Sequence, residues 1–435
     1  MFWDKIKFNK NKDKKKNNDE KVNINAFSKL GKDKSPELNL NIDEVSADKF
    51  QKLYMKDTPY IQIAKCGDKP IGISVENDLL ARSNDVLVVS TSHDNNVNQV
   101  IIPIIEKGNT SYIVYDPYGD IYGQVEGALK RNKYDIRVVD FSKNSNDSDR
   151  VDIFEAANLL DDPAEIVRII ARSFDNKKDV DIAIPLLEAA CRYIMDKGVQ
   201  LNAKRVAWVL RQLKHNNKRI VGDMALSPTA GLALKKKTSG VTKEVFFGVI
   251  NELENRVAPA IQKFGTDPSI YGILTTKKNV AIFIKNIEPQ YRFISTAMVY
   301  NLMVMSAALE DTSLNTVIID EKNDSWYDKE EIKRWSDMTK GRKDCMIRIS
   351  IRDRIPADMM NYFDPCAILF CGSVDPLTID FIDQTIKKQY EVLEDKDIAT
   401  QIMDRRELET IDKCIMLCNV NRKDLIVRPF KCELI

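Results

Sequence analysis

Short uninterrupted apolar runs alternate with segments of helical spacing along much of the chain. The first run is Val86, Leu87, Val88 and Val89, followed by a polar turn and an amphipathic segment ending near Pro103. Ile113, Val114 and Tyr115 form the next and end on Asp116-Pro117; residues 121–131 have helical spacing, and residues 134–141 read as a further strand. Runs this short and this apolar suit strands buried on both faces, as parallel sheets require. Strand, helix, strand in close succession predicts right-handed crossovers. Upstream, β-rich runs at 60–66 and 70–76 flank Gly67-Asp68 and predict a hairpin.

From about residue 158 to 257 the strand signal fades and apolar residues recur at helical spacing. Ile166, Ile169 and Ile170 make one such stripe; Ile184, Leu187, Ala190 and Ile194 a second; Val206, Val209 and Leu213 a third. Residues 246–257 read as another helix, and the whole as an all-α insert. The run Lys235, Lys236, Lys237 inside it reads as a solvated face. The sheet pattern then resumes with strands at 280–285, 315–321, 345–351 and 366–372, helices at 292–309, 329–339 and 375–393, and a terminal hairpin over 413–434 turning at 419–423. No internal repeat is present.

Composition changes this picture mainly at the N-terminus. Residues 1–50 are rich in Lys, Asn and Asp with few aliphatics, too few to offset chain entropy by burial, so a disordered basic tail is expected. Its first residues set Phe2, Trp3, Ile6 and Phe8 among lysines, which suits a solvated tail or a weak anchor on an anionic membrane. The 435 residues carry a net charge of +1, so no global field points to nucleic acid. No run of about eighteen apolar residues marks a membrane span, and no signal-peptide core is seen. The eight cysteines (66, 191, 345, 366, 371, 414, 418 and 432) form no C-x-x-C pair, and the histidines are His93 and His215. That argues against zinc and for buried, reduced thiols in a cytosolic protein.

Two stretches carry candidate chemistry. The turn after Val89 has the layout of a phosphate-binding loop: strand, tight loop, helix N-terminus. Set on G-x-x-x-x-G-K-[ST], however, Ser90 takes the first glycine, Asn95 the second, Asn96 the lysine and Val97 the hydroxyl residue. His93 lies inside the turn, and Asp94 brings a negative charge to where an anion would sit. The second stretch is Val317-Ile318-Ile319-Asp320-Glu321, an apolar strand ending in two carboxylates. Nucleoside triphosphatases use such a pair to hold the magnesium water shell and polarise the attacking water. An aspartate capping the next turn accounts for it equally well.

In order along the chain, several features match one family. The strand and loop at 86–98 are followed by Pro103, then by Y-D-P-Y-G-D at 115–120, where the family has D-P-K-G-E. Arg150 precedes Asp152, Ile153 and Phe154; the helical stretch, the Asp320-Glu321 strand and Gly341-Arg342 follow; Arg405, Arg406, Glu407, Leu408, Thr410 and Asp412 echo a terminal R-x-L-x-T-x-D-E pattern. From about residue 85 onward, some three quarters of the chain, the sequence thus resembles the type IV secretion coupling proteins, the TraG/TraD-like conjugation ATPases. The resemblance implies an α/β, RecA-like P-loop NTPase fold: a mostly parallel central sheet flanked by helices (51–157 and 258–435) with an inserted all-α domain (158–257). It assigns Asp320 and Glu321 to the catalytic strand end and Arg342 to an arginine-finger position. Ser90, His93, Asn95, Asn96 and Val97 fall in the phosphate loop, with Asp116 beside it and Asp320 toward magnesium. The missing glycines, lysine and hydroxyl, and Tyr118 in place of a family lysine, argue against hydrolysis. The family's glutamine on the sensor strand falls near Ser350, and its N-terminal transmembrane pair has no counterpart here. No cofactor is expected, or Mg-ATP if the phosphate site survives. Partners by resemblance are other type IV secretion or relaxosome proteins, DNA, and copies in a homo- or hetero-hexamer. The expected location is the cytoplasm, with residues 1–16 able to touch the inner face of the membrane. The expected function is that of a pseudo-ATPase of the secretion machinery, acting in substrate (DNA, relaxosome or protein) recruitment or ring assembly; the alternatives are an active DNA-translocating motor and a membrane-peripheral adaptor.

Overall fold

The computed structural model describes residues 42–55, 60–74, 85–90, 97–108, 110–143, 148–174, 176–235, 241–264, 270, 279–308, 315–320, 346–352, 355, 367–371, 376–393, 405, 408, 414–418 and 430–435. Tyr60–Cys66 (β1) and Lys69–Ser74 (β2) form the hairpin, turning at Gly67, whose φ is 58°. The remaining strands are Asp85–Ser90 (β3), Ser111–Asp116 (β4), Asp135–Asp140 (β5), Val280–Lys285 (β6), Asn315–Asp320 (β7), Met346–Arg352 (β8), Ala367–Cys371 (β9), Cys414–Cys418 (β10) and Phe430–Cys432 (β11). These nine form one sheet in the order β11-β10-β9-β3-β8-β7-β4-β6-β5. From β9 to β5 every pairing is parallel; β10 and β11 add antiparallel at one edge.

The apolar runs are strands because each faces two cores. Tyr112 and Val114 of β4 enter one core, Ile113 and Tyr115 the other. On β6, Ala281 and Phe283 share the first core, and Val280, Ile282 and Ile284 the second. Burying each Val, Ile or Phe contributes roughly 1.5–3 kcal/mol, so a strand with two apolar faces is held from both sides. The first core is roofed by helices Ile102–Lys107 and Tyr122–Arg131, by the β1–β2 hairpin and by helix Ile42–Phe50. Helix Arg292–Ala308 and the helices between Glu155 and Phe264 cover the second.

Three expectations are corrected. The tail expected to run disordered to residue 50 gives way to a helix at Ile42–Phe50. Ala47 and Phe50 are fully buried there, Phe50 edge-on to Phe430 at 5.7 Å, so its few apolar residues suffice because the C-terminal strand completes their packing. Residues 1–41 lie outside the described residues. The segment expected to end near Pro103 continues to Lys107, after a π-helical turn at Val97–Ile101. Proline is tolerated there because it falls in the first turn of the α-helical part. In a regular α-helix the Gln99 carbonyl would accept from residue 103, which has no N–H; the Ile435 N–H reaches it at 3.1 Å. Finally, the helix expected at 246–257 spans Lys243–Phe264 and passes through Pro259. The helix expected at 329–339 lies outside the described residues, as does the turn of the terminal hairpin.

Asparagine, abundant in this chain, sets several helix starts. Asn176, Asn202 and Asn217 each accept a backbone N–H from the first turn of Lys177–Asp196, Ala203–Lys214 and Lys218–Leu226. The outer edge of β5 is covered rather than left open to another chain. Val138 donates to the Asp149 carboxylate (2.7 Å) and accepts from its N–H (2.9 Å), while Asp140 N–H donates to Ser148 Oγ (2.8 Å).

Where the chain leaves the sheet for the helices, two buried polar side chains hold the junction. Asn301, on helix Arg292–Ala308, is 0% exposed. Its Oδ1 accepts from Ala156 N–H at 2.6 Å, and its Nδ2 donates to Ile153 O and Ala297 O, both at 2.6 Å. Asp152 accepts from Phe154 N–H (2.9 Å) and Ala203 N–H (3.3 Å). Burial pushes its carboxyl up to about 6 against those two donors, with Glu155 adding to the rise. Between the unfolded carboxyl value and about pH 6 the folded chain therefore binds the extra proton, and stability falls as pH rises through that window. Urea midpoints measured from pH 4 to 7 are expected to show this fall in the parent and a flatter profile in Asp152→Asn. Identical profiles would exclude Asp152 as the titrating group.

Candidate functional site

Ligands of open parallel sheets sit outside the carboxyl ends of the strands, where neighbouring connections diverge. Here that place is the end of β3, which lies between β8 and β9 although the chain leaves it for β4. Ser90 is the last residue of β3 and is buried. His93, Asn95 and Asn96 lie outside the described residues. Val97 opens the π-helical turn and is 2% exposed, in one core with Val100, Ile101, Ile104 and Ile63 of the hairpin. The residue expected from the sequence at the hydroxyl position of a phosphate loop is thus an apolar side chain turned into the core.

Asp116 ends β4 and is 0% exposed. One carboxylate oxygen, Oδ2, accepts from Ile121 N–H (3.1 Å) and Tyr122 N–H (3.0 Å), capping helix Tyr122–Arg131. Its carbonyl accepts from Gly119 N–H (3.1 Å) and closes the Pro117–Gly119 turn. Gly119 has φ 79°, and a Cβ there would collide with Asn286 Oδ1, so glycine is required. Tyr115 pairs with Ile319 across to β7, which sets Asp116 and Asp320 at the ends of neighbouring strands. Asp320 in turn pairs with Ile351 on β8, the strand between β7 and β3. Glu321 and Arg342 lie outside the described residues. The fold therefore brings Asp116 and Asp320 together, and seats Ser90 and Val97 two strands away from Asp320.

A second polar group at the same sheet end was not foreseen from the sequence. Asp140 of β5 accepts from Ser142 N–H (3.0 Å), Ser142 Oγ (2.7 Å) and Asn286 Nδ2 (2.9 Å), and pairs with Lys285 Nζ at 3.3 Å. Burial opposes its charge, but the Ser142 and Asn286 hydrogen bonds and Lys285 outweigh it and hold the carboxyl below its ordinary value. Lys285 also lies over the Tyr122 ring, 4.6 Å from its centroid. The readable signal was a polar residue ending each of three apolar runs: Asp116, Asp140 and Lys285 are register neighbours across β4, β6 and β5. Among the described residues, no group of three or more His, Cys, Asp or Glu is placed to hold a metal ion.

No protein-family model matches the sequence, and no curated protein matches it. Solved structures do. The bacterial conjugative coupling protein TrwBdeltaN70, in an unbound monoclinic form, superposes with a TM-score of 0.53 at 12% identity, over 89% of this chain and 91% of that one. The chain has the fold of a conjugative coupling protein. TrwB in complex with the ATP analogue ADPNP, and with ADP and Mg2+, each gives a TM-score of 0.52 at 12% identity, over 89% of this chain and 92% of theirs. The fold is α/β, with a parallel sheet flanked by helices, of the RecA-like P-loop NTPase kind. Among the described residues of this coupling-protein fold, no helix is long and apolar enough to cross a membrane.

Proposed function

We propose that the chain is a coupling-protein-like component of a conjugative type IV secretion system that does not hydrolyse ATP, and that uses the fold to recruit substrate or to build a ring. The observation that carries this reading is Val97, buried among Val100, Ile101 and Ile104 where a nucleotide site needs an exposed hydroxyl. The residues present do not fit Mg-ATP. A valine cannot ligate magnesium, and by sequence Asn96 cannot give a lysine's charge to the β and γ phosphates. Partners on this reading are relaxosome or secretion proteins or DNA, within a homo- or hetero-hexamer. Its place is the cytoplasm, with residues 1–16 free to meet the membrane surface.

Titration calorimetry with ATP and magnesium is expected to show no binding at micromolar concentrations. Micromolar affinity together with turnover lost in Glu321→Gln would overturn the proposal. One observation favours an active motor instead: Asp116 and Asp320 end adjacent strands, as metal-holding carboxylates would. Hydrolysis by a purified oligomer, stimulated by DNA, would decide for that alternative.

A further inference from the structure

Four of the eight cysteines fall on one line across β9, β10, β11 and the hairpin strand β1. In β10, Cys414 stands opposite Cys371 of β9 and opposite Cys432 of β11. β11 is joined to the hairpin through Lys65 and Glu433, which exchange both backbone hydrogen bonds, at 2.9 and 2.7 Å. Antiparallel register then sets Cys66 opposite Cys432.

The kind of pair follows from the backbone. Successive residues of a strand direct their N–H and C=O groups to opposite sides. Those of Glu433 face β1, so those of Cys432 face β10. Cys66 and Cys432 are therefore a non-hydrogen-bonded pair, with Cα atoms about 4.5 Å apart and side chains on one face. Disulfides span Cα separations of about 4.4–6.8 Å. Cys432 and Cys414 are the wider, hydrogen-bonded kind, about 5.5 Å apart. Cys66 and Cys432 both carry buried thiols in the core that holds Phe50 and Phe430. Burial as small apolar residues explains each cysteine singly, but not their meeting in the narrow register.

We propose that Cys66 and Cys432 are an oxidation site, a dithiol that hydrogen peroxide converts to a disulfide joining the hairpin to the C-terminal strand. One thiolate attacks a peroxide oxygen, the O–O bond breaks, and a sulfenic acid and water result. The second thiol attacks the sulfenic sulfur, the S–O bond breaks, and a second water leaves. Two electrons and two thiol protons pass to one peroxide. Burial, then Asp43 and Glu44, push the Cys66 thiol up, so the reaction is slow compared with that of an exposed thiol. The segment it fixes runs on from β11 to Ile435, whose N–H donates to the Gln99 carbonyl on the π-helical turn Val97–Ile101. The site stands independently of whether nucleotide binds.

The test is peroxide treatment of the folded full chain, alkylation of the remaining thiols, and mass mapping of the peptides. A Cys66–Cys432 linked peptide is expected, two hydrogens lighter than the dithiol and restored by dithiothreitol. Oxidation is expected to raise the unfolding midpoint of the parent and to leave Cys66→Ser and Cys432→Ser unmoved. The mapping needs only the parent chain, so a poorly folding variant leaves the test intact. A Cys414–Cys432 peptide in its place would overturn the proposal. So would two intact thiols in the folded chain at a peroxide dose that cross-links the urea-unfolded one.

Discussion

Asn301→Leu is expected to destabilise the chain by about 4 kcal/mol, the largest effect of any single substitution considered for this fold. Leucine keeps the γ-branched shape of asparagine but is the larger side chain, so overpacking at this fully buried position adds to the cost without being its main source. The main source is that the Ala156 N–H and the Ile153 carbonyl lose their partners in a site from which water is excluded. Each stranded buried group costs roughly 1–3 kcal/mol. The Ala297 carbonyl, within the helix, loses a second donor and suffers least. Asn301→Asp should be as damaging at neutral pH, because a carboxylate would face two carbonyl oxygens, and should recover partly in acid as it protonates. Urea midpoints measure the global effect, and hydrogen exchange at Ala156 measures the local one. A midpoint within the error of the parent's would mean that the junction is held by apolar packing alone.

Asn301 also marks the limit of what the sequence discloses. The strands were legible because Val86 to Val89, Ile113 to Tyr115 and residues 280–285 are apolar on both faces, and nothing but a doubly covered sheet buries such runs. The stripes Ile166, Ile169, Ile170 and Val206, Val209, Leu213 were legible for the same reason at helical period. Long-range polar contacts leave no such trace. Asn301 is one asparagine in an apolar helix, and its partners at 153 and 156 lie almost 150 positions earlier. Helix Ile42–Phe50 was hidden because its stability comes from Phe430, at the other end of the chain. The candidate site was half legible. The phosphate-loop pattern sets Ser90 at its first glycine and Val97 at its hydroxyl residue, and the apolar run before Asp320 sets that residue at a strand end. Only the register shows Asp116 and Asp320 as neighbours, and only packing shows Val97 facing inward.

On the proposed reading, the preserved and the altered parts of the site obey different constraints. Strand order, crossovers and the turn at Gly119 are fixed by packing and by backbone geometry, so they persist whether or not a nucleotide binds. Phosphate affinity depends on a few exposed positions that contribute little to packing, and these can change without cost to the fold. Val97 goes further, since an apolar residue there adds to the core under the hairpin. Asp116 is the residue at which the two constraints meet, being both a helix cap and a neighbour of Asp320.

For that reason Asp116→Ala is expected to cost about 2–3 kcal/mol and Asp116→Asn less than about 1 kcal/mol. The alanine removes an acceptor shared by the Ile121 and Tyr122 N–H groups at a buried helix start. A single cap is worth roughly 0.5–2 kcal/mol, and burial with two donors adds to it. Asparagine keeps an oxygen where Oδ2 stands and can accept from both donors, losing only the charge assistance. A carboxylate retained to hold magnesium would behave otherwise, because an amide is a poor substitute for it. Both variants would then lose metal-dependent nucleotide binding while keeping different stabilities. Urea midpoints of the three chains, with calorimetry against Mg-ATP, separate the two roles. If Asp116→Asn falls as far as Asp116→Ala in stability, the charge itself is required and capping does not account for this aspartate.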